Sequence, residues 1–381
     1  MKKGIDFTMK KNSYILITGA TGAIGADLLP KLLHRYPEHH FIAIVRPKDK
    51  KTAKSYLLTA IGDHVSFDAD RLTALAGDVA EARFGLDEVP YQELKLNTSK
   101  IFHFAANVRF SAGINEARRG NVQTTKNVVA FALDSQVHNE NIELHYASTA
   151  YIVGKRTGVL LENELNLSQE FWNAYEQSKL EAEELVVESR KNIATTVYRP
   201  SQVICISNSG KVRKLFGLLE FLKIALTGKV MFKHIPANPD VRFDMVPIDY
   251  VTDAISYLSN QAEAQGKTYH LAAGLKRSLP LHTIIDLIYD TAISYQPSLV
   301  NAVKPTCVPL SVYNEMAEKS TAFSTLLELY QTYLEYDRDF QVDETMERLS
   351  KSGIVLPPME DVLQRSVRFL LNSVSNQSRF Q

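Results

Sequence analysis

Tyr14-Ile-Leu-Ile-Thr-Gly-Ala-Thr-Gly-Ala-Ile-Gly25 joins an apolar run to a turn with glycine at every third position and then to the start of a helical pattern. The run Tyr14–Thr18 is continuously apolar apart from its last residue, as a strand buried on both faces requires. A turn built on Gly19, Gly22 and Gly25 bends tightly and lets backbone approach a pyrophosphate. The helix it opens presents free N–H groups and a dipole that favour anionic oxygen. Thr21, Ala23 and Ile24 complete the loop. Glycines alone are weak evidence. Here they sit at a strand–helix junction, and another apolar strand follows about 16 residues later.

Outward from this junction, apolar runs at Phe41–Val45, Leu72–Ala76, Ile101–Phe104, Ile142–Ala147, Thr195–Tyr198 and Tyr269–Leu271 alternate with helical patterns such as Ala26–His34, Val122–Leu133 and Ala174–Ser189. That alternation predicts a doubly wound, Rossmann-type α/β fold with a parallel sheet covered on both faces. Two stretches break it. One is an insertion over about 207–243, whose middle, Leu215–Leu226, is strongly apolar between Lys211, Arg213, Lys229 and Lys233. The other, Lys276–Gln381, has helical periodicity and no sheet-like alternation. The expected organisation is a dinucleotide-binding domain over 1–275 and a small helical, substrate-side cap over 276–381.

The 381 residues carry 43 basic and 43 acidic side chains, with 45% apolar residues. A full core can form, and a nucleic-acid partner attracted by global charge is disfavoured. Cys205 and Cys307 are the two cysteines; they lie outside any C-x-x-C spacing, which argues against a disulfide scaffold or a zinc site. No metal is expected. Nowhere do about 18 apolar residues run uninterrupted, so the expectation is a cytoplasmic protein without a transmembrane segment.

At the end of the second strand, where a carboxylate would meet ribose hydroxyls, stand Arg46, Lys48, Lys50 and Lys51. A guanidinium there would grip a 2′-phosphate, so the expected cofactor is NADP(H). The competing reading is a solvated basic loop. Asp78, ahead of Val79, is placed either to accept from an adenine amino group or to cap a helix. Ala105 and Ala106 offer small side chains where a cofactor can lie flat. Tyr-x-x-x-Lys sets a proton donor and a cation on one helical face. It occurs at Tyr91/Lys95, Tyr151/Lys155 and Tyr175/Lys179, and only the last lies on a long helix after the fifth strand. That strand ends in Ser148 and Thr149, hydroxyls at the carboxyl edge of the sheet.

Thr18–Gly25, His103-Phe-Ala-Ala106, Tyr175-Glu-Gln-Ser-Lys179 and Arg199-Pro200 resemble the extended short-chain dehydrogenase/reductase family over roughly residues 12–275. His103–Phe110, Ser148–Tyr151, Tyr198–Val203 and Asp244–Val251 look like its thioester reductase and fatty acyl-CoA reductase branch, with the male-sterility-type NAD-binding domain. Tyr330–Phe340 is similar to the end of fatty acyl reductases. The resemblance implies a catalytic group of Thr149, Tyr175 and Lys179, with Ser148 as the competing hydroxyl. It also implies that the glycines, Arg46, Asp78, Ala105, Ala106 and Asn121 contact or shape the cofactor site, with Pro200 and Ser201 near the nicotinamide. Lys179, together with the positive charge of the oxidised nicotinamide, is expected to lower the Tyr175 pKa, and Lys179 to hold the ribose. Cys205, where many members have glycine, is expected at the edge of the substrate cleft. The implied reaction is NADPH-dependent reduction of an acyl thioester, on CoA or an acyl carrier protein, to an aldehyde and then an alcohol. A nucleotide-sugar epimerase or dehydratase and a non-catalytic NADP-binding protein are the alternatives. Leu215–Leu226 is open between an acyl-tunnel wall, a core helix and a shallow, peripheral membrane contact.

Overall fold

The seven apolar runs become one seven-stranded sheet in the computed structural model, which describes residues 13–47, 51–62, 67–213, 217, 219–220, 233–295, 297, 304–316 and 330–378. The strands are β1 Tyr14–Thr18, β2 His40–Val45, β3 Leu72–Ala76, β4 Thr98–His103, β5 Glu143–Ala147, β6 Ala194–Pro200 and β7 Thr268–Leu271. Their order is β7-β6-β5-β4-β1-β2-β3. The pairings from β3 through β2, β1, β4 and β5 to β6 are all parallel. Strand order reverses between β1 and β4, which opens a crevice at their carboxyl ends where such sheets take ligands. The chain is a doubly wound, Rossmann-type α/β protein.

Where a strand outruns its apolar stretch, a paired charge explains the difference. β4 starts at Thr98 because Lys100 makes an ion pair with Glu143 on β5. β6 reaches Pro200 because the fully buried Arg199 is paired. The helices that matter for the site are α1 Ala23–Arg35, α2 Ala53–Ile61, α3 Glu88–Asn97, α4 Thr124–Gln136 and α5 Ala174–Ser189. Asn173 caps α5 by accepting from Glu176 N at 3.0 Å. A π-turn over Arg119–Gln123 leads into α4.

Compactness divides the chain differently from the single boundary expected near residue 275. One unit comprises 1–152, 173–199 and 252–269; the other comprises 153–172, 200–251 and 270–381. The first unit's core sets Leu16, Ile42, Ile101, Leu144 and Val197 of the sheet against Val128 and Phe131 of α4 and Ala182 and Val186 of α5. Each of the buried leucine, isoleucine, valine and phenylalanine side chains stabilises the fold by about 1.5–3 kcal/mol relative to exposure.

The second unit is not the helical cap expected from Lys276 onward. It contains α6 Leu281–Tyr295, α7 Asp343–Ser350 and α8 Met359–Ser378, together with short strands. Leu279–Pro280, Thr306–Val308 and Arg338–Phe340 pair with Arg242–Phe243, His234–Pro236 and Gly158–Leu160. The tail is thus stitched to earlier segments of the chain. Strands of two or three residues are too short to show a two-residue period, so the pattern hid them. Cys205 is also relocated. It lies in this unit's core with Ile204, Met245, Val362 and Leu363, its Sγ 3.7 Å from the Val362 carbonyl oxygen, and is a packing residue instead of a cleft-edge one.

Candidate active site

The glycine turn is shaped by close approach. Gly19 has φ +72°, and a Cβ there would fall 2.4 Å from Ala105 N and from the Phe104 carbonyl carbon. A Cβ on Gly25 would fall 2.3 Å from Gly19 O. Backbone cannot yield by that much, so both positions require glycine. The turn closes with Gly22 N donating to Gly19 O at 2.9 Å. Gly22 caps α1 without a side-chain hydrogen bond, and no acidic residue stands in the first turn. Thr21, Gly22, Ala23 and Ile24 remain partly exposed. An uncapped, acid-free helix start beneath a glycine cradle fits the diphosphate of a dinucleotide.

At the end of β2, the Arg46 guanidinium is mostly exposed and its Nη1 lies 3.2 Å from Asp78 Oδ2. Asp78 Oδ1 accepts from Ala80 N at 3.0 Å, so the carboxylate both caps a turn and orients Arg46. Lys48 and Lys50 lie outside the described residues. Val79 is buried in the core. Ala105 N donates to Thr18 Oγ1 at 3.3 Å, which fixes the β4 exit against β1, and Ala106 follows it, exposed. Asn121, 1% exposed, spends its amide on structure. Its Nδ2 donates to Ser178 Oγ at 2.8 Å and to Asn107 O at 3.1 Å, while its Oδ1 accepts from Asn107 N at 2.7 Å. Its side chain therefore ties the β4 exit to α5, the shaping alternative of the sequence reading.

Thr149, Tyr175 and Lys179 meet at the carboxyl end of β5. The Tyr175 hydroxyl is hydrogen-bonded to the Thr149 side chain, and its ring stacks on Phe110 with centroids 5.5 Å apart. Ser148 is buried with no hydrogen-bond partner for its hydroxyl among the described residues, so the geometry distinguishes it from Thr149. Lys179 Nζ donates to Tyr146 Oη at 2.6 Å and to Ala147 O at 2.7 Å. Burial pushes Tyr175 up to about 12, against the hydrogen bond from Thr149. Burial also pulls Lys179 down to about 7, against the raising effect of Glu183. Desolvation therefore dominates at Tyr175, with Thr149 and Glu176 the other groups that act on it. Glu183 lies four residues beyond Lys179 and is itself bound by Arg199, with Nη2 to Oε1 at 2.6 Å.

The other two tyrosine–lysine pairs are engaged elsewhere. Tyr91 packs on Phe84 and Phe131 while Lys95 pairs with Asp134. Lys155 binds Glu170 at 2.8 Å and lies over the Trp172 ring. Pro200 and Ser201 fall in the second unit, where Ser201 N donates to Leu271 O at 3.2 Å. Most of Leu215–Leu226, with Phe221 and Lys229, lies outside the described residues; Leu219 is fully buried in the second unit's core. Sequence reasoning missed Tyr146 and Glu183. Glu183 had a signal, since Tyr175, Lys179 and Glu183 recur every four residues on one face of α5. Tyr146 had none, because an aromatic residue on an interior strand reads as core.

The model of the family described as "Male sterility protein" matches residues 17–255. Among curated relatives, the "Nonribosomal peptide synthetase asaC" of Aspergillus flavus is 29% identical over 283 residues, 71% of this chain and 27% of the relative. The "Aldehyde reductase lnbA" of Aspergillus flavus is 26% identical over 292 residues, 74% of this chain and 28% of the relative. The chain thus spans about a quarter of the length of these relatives. The terminal R domain from the myxalamid PKS-NRPS biosynthetic pathway superposes with a TM-score of 0.79 at 24% identity, covering 97% of this chain and 92% of that one.

Proposed function

The chain belongs to the male sterility protein family, and from that premise we propose that it reduces an acyl thioester with NADPH. The observation that supports this most is the Thr149–Tyr175 hydroxyl pair at the carboxyl edge of the sheet that also carries the glycine cradle. Gly19–Gly25 would hold the diphosphate of the cofactor and Arg46 its 2′-phosphate, and the bound cofactor would supply the hydride that reduces the thioester carbonyl carbon. Thr149 and Tyr175 hold the carbonyl oxygen between two donors that strengthen as negative charge develops there. Tyr175, a neutral phenol at about 12, then gives that oxygen its proton. Lys179, the cation one helical turn beyond Tyr175, would balance the negative charge left on the tyrosine and would hold the ribose. Addition of hydride and proton yields a thiohemiacetal; its C–S bond breaks, and the thiol leaves with an aldehyde behind. A second hydride gives the alcohol.

The thioester is carried by CoA or an acyl carrier protein, in the cytoplasm, and a fatty acyl group would place the reaction in lipid metabolism. Among the described residues no helix is long and apolar enough to cross a membrane. The test is NADPH oxidation with a panel of acyl-CoA and carrier-protein thioesters, with the aldehyde trapped as a hydrazone. Aldehyde appearing in step with NADPH loss is the expected result. Absence of NADPH oxidation with every thioester, alongside turnover of a nucleotide sugar, would replace this reading with the epimerase or dehydratase one.

A further inference from the structure

Lys179 takes its hydrogen bonds from β5, and what lies behind them is a buried polar chain. Nζ donates to Tyr146 Oη at 2.6 Å and sits 4.2 Å from the centre of that ring. The Tyr146 hydroxyl is also hydrogen-bonded to Thr125 of α4. Thr125 Oγ1 lies 3.0 Å from His103 Nε2, and His103 Nδ1 lies 2.7 Å from Thr18 Oγ1. Thr18, His103, Thr125, Tyr146 and Lys179 are each no more than 2% exposed, so water does not compete for these bonds.

We propose that Tyr146 is a positioning residue for Lys179, its hydroxyl held from behind by Thr125, His103 and Thr18 so that the ammonium is fixed relative to Tyr175. The proposal rests on the reductase reading for its catalytic consequence, and on the geometry alone for the contact. Donor arithmetic gives the chain a direction. With Lys179 charged, Nζ donates to Tyr146, Tyr146 to Thr125, and Thr125 to His103 Nε2, leaving the imidazole proton on Nδ1 to reach Thr18. With Lys179 neutral, the amine keeps two N–H donors, one for Tyr146 and one for Ala147 O, and gains a lone pair, so the same direction remains available; Thr18 also accepts from Ala105 N. His103 itself stays neutral, since burial, then the charge of Lys179, pushes it down to about 3. The ionisable groups facing Lys179 are Tyr175 and Glu183 from its own helix, with Glu183 held by Arg199 of β6, Tyr146 from β5 and His103 from β4.

Tyr146→Phe deletes one hydroxyl and keeps the ring. A hydrogen bond to the charged form is stronger than one to the neutral form, so its loss disfavours the ammonium. The experiment follows the Lys179 ε-carbon by NMR in 13C-lysine-labelled full-length protein, with Lys179→Met assigning the signal, beside thioester kinetics and melting temperature. In Tyr146→Phe the titration midpoint should fall by about 1 pH unit. The same variant should lose about tenfold in kcat, with the thioester KM unchanged. Thr125→Val, which loosens Tyr146 without touching Lys179, should move both in the same direction by less, and it carries the test if Tyr146→Phe does not fold. An unmoved midpoint overturns the proposal, as does a moved midpoint with unchanged kcat. A moved midpoint in a protein whose parent reduces no thioester upholds the positioning of Lys179 and overturns the reductase reading instead.

Discussion

Two residues one helical turn apart carry opposite consequences of the same burial. Tyr175 is driven up to about 12 and Lys179 down to about 7, so at neutral pH the phenol keeps its proton and the lysine is poised near half-charge. Tyr175→Phe removes the proton donor and leaves the ring stacked on Phe110. Turnover should fall by about 100-fold or more, with the melting temperature and NADPH affinity retained; near-parental turnover would remove Tyr175 from the mechanism. Lys179→Met should lose both turnover and cofactor affinity, yet melt no lower than the parent at pH 7. The sign follows from linkage. The lysine's folded pKa of about 7 lies below its unfolded 10.5, so as pH falls from 10.5 to 7 the unfolded state gains a proton that the folded state does not. That costs stability at about 1.4 kcal/mol per pH unit. A lower melting temperature in calorimetry would show the buried lysine to be net stabilising. Tyr175 and Lys179 could be picked from three matching pairs because helix spacing and strand order are both written in the sequence. Tyr146 could not, since nothing in a strand pattern tells a hydroxyl bound to lysine from one packed in a core.

Among elements, the first turn was legible because its constraint is steric and local. Gly25 lies inside α1, where alanine is normally the better residue by about 1 kcal/mol. Here the added Cβ meets Gly19 O at 2.3 Å, so Gly25→Ala should reverse that sign. The expected loss is on the order of 2 kcal/mol in urea unfolding, with weaker dinucleotide binding; a stabilised variant would show that the turn relaxes. At the end of β2, Arg46→Asp exchanges attraction for repulsion toward a 2′-phosphate and sets a carboxylate beside Asp78, 3.2 Å from the present guanidinium. Titration of both cofactors should show preference moving from NADP toward NAD. An unchanged preference would return Arg46 to a solvated loop. The long strands of the sheet were legible for the same local reason, being continuous apolar runs. The two- and three-residue strands at 234–236, 279–280, 306–308 and 338–340 were not, because their pairing depends on partners far away in the chain.

On the scale of the whole molecule, the chain crosses repeatedly between two compact units, an arrangement no linear boundary can express. Its response to acid follows from groups buried in the first of them. His103 has a folded pKa of about 3 against an unfolded 6.5, owing to burial and then to Lys179. His145, His39 and His40 are also lowered, each chiefly by burial. Below pH 6.5 the unfolded chain takes up protons at these imidazoles that the folded chain refuses, so stability falls with pH by about 1.4 kcal/mol per unit for each fully neutral histidine. Glu143 adds a second stage. Burial opposes its charge, but hydrogen bonds from His145 and Lys100 and the charge of Lys100 prevail and hold it near 2 against 4.5. Its contribution is complete above pH 4.5 and is lost as pH falls toward 2. Urea unfolding followed by circular dichroism from pH 8 to pH 3.5 should therefore show a decline from 8 to about 7 set by Lys179, a further decline from about 6.5 set by the histidines and a steeper one below about 4.5. His103→Asn, which carries no titrating group, should shallow the upper part of that decline by about 1.4 kcal/mol per pH unit. A parent curve flat between pH 7 and 5 would mean that the imidazoles find their protons inside the fold, and would remove the neutral His103 on which the buried chain behind Lys179 depends.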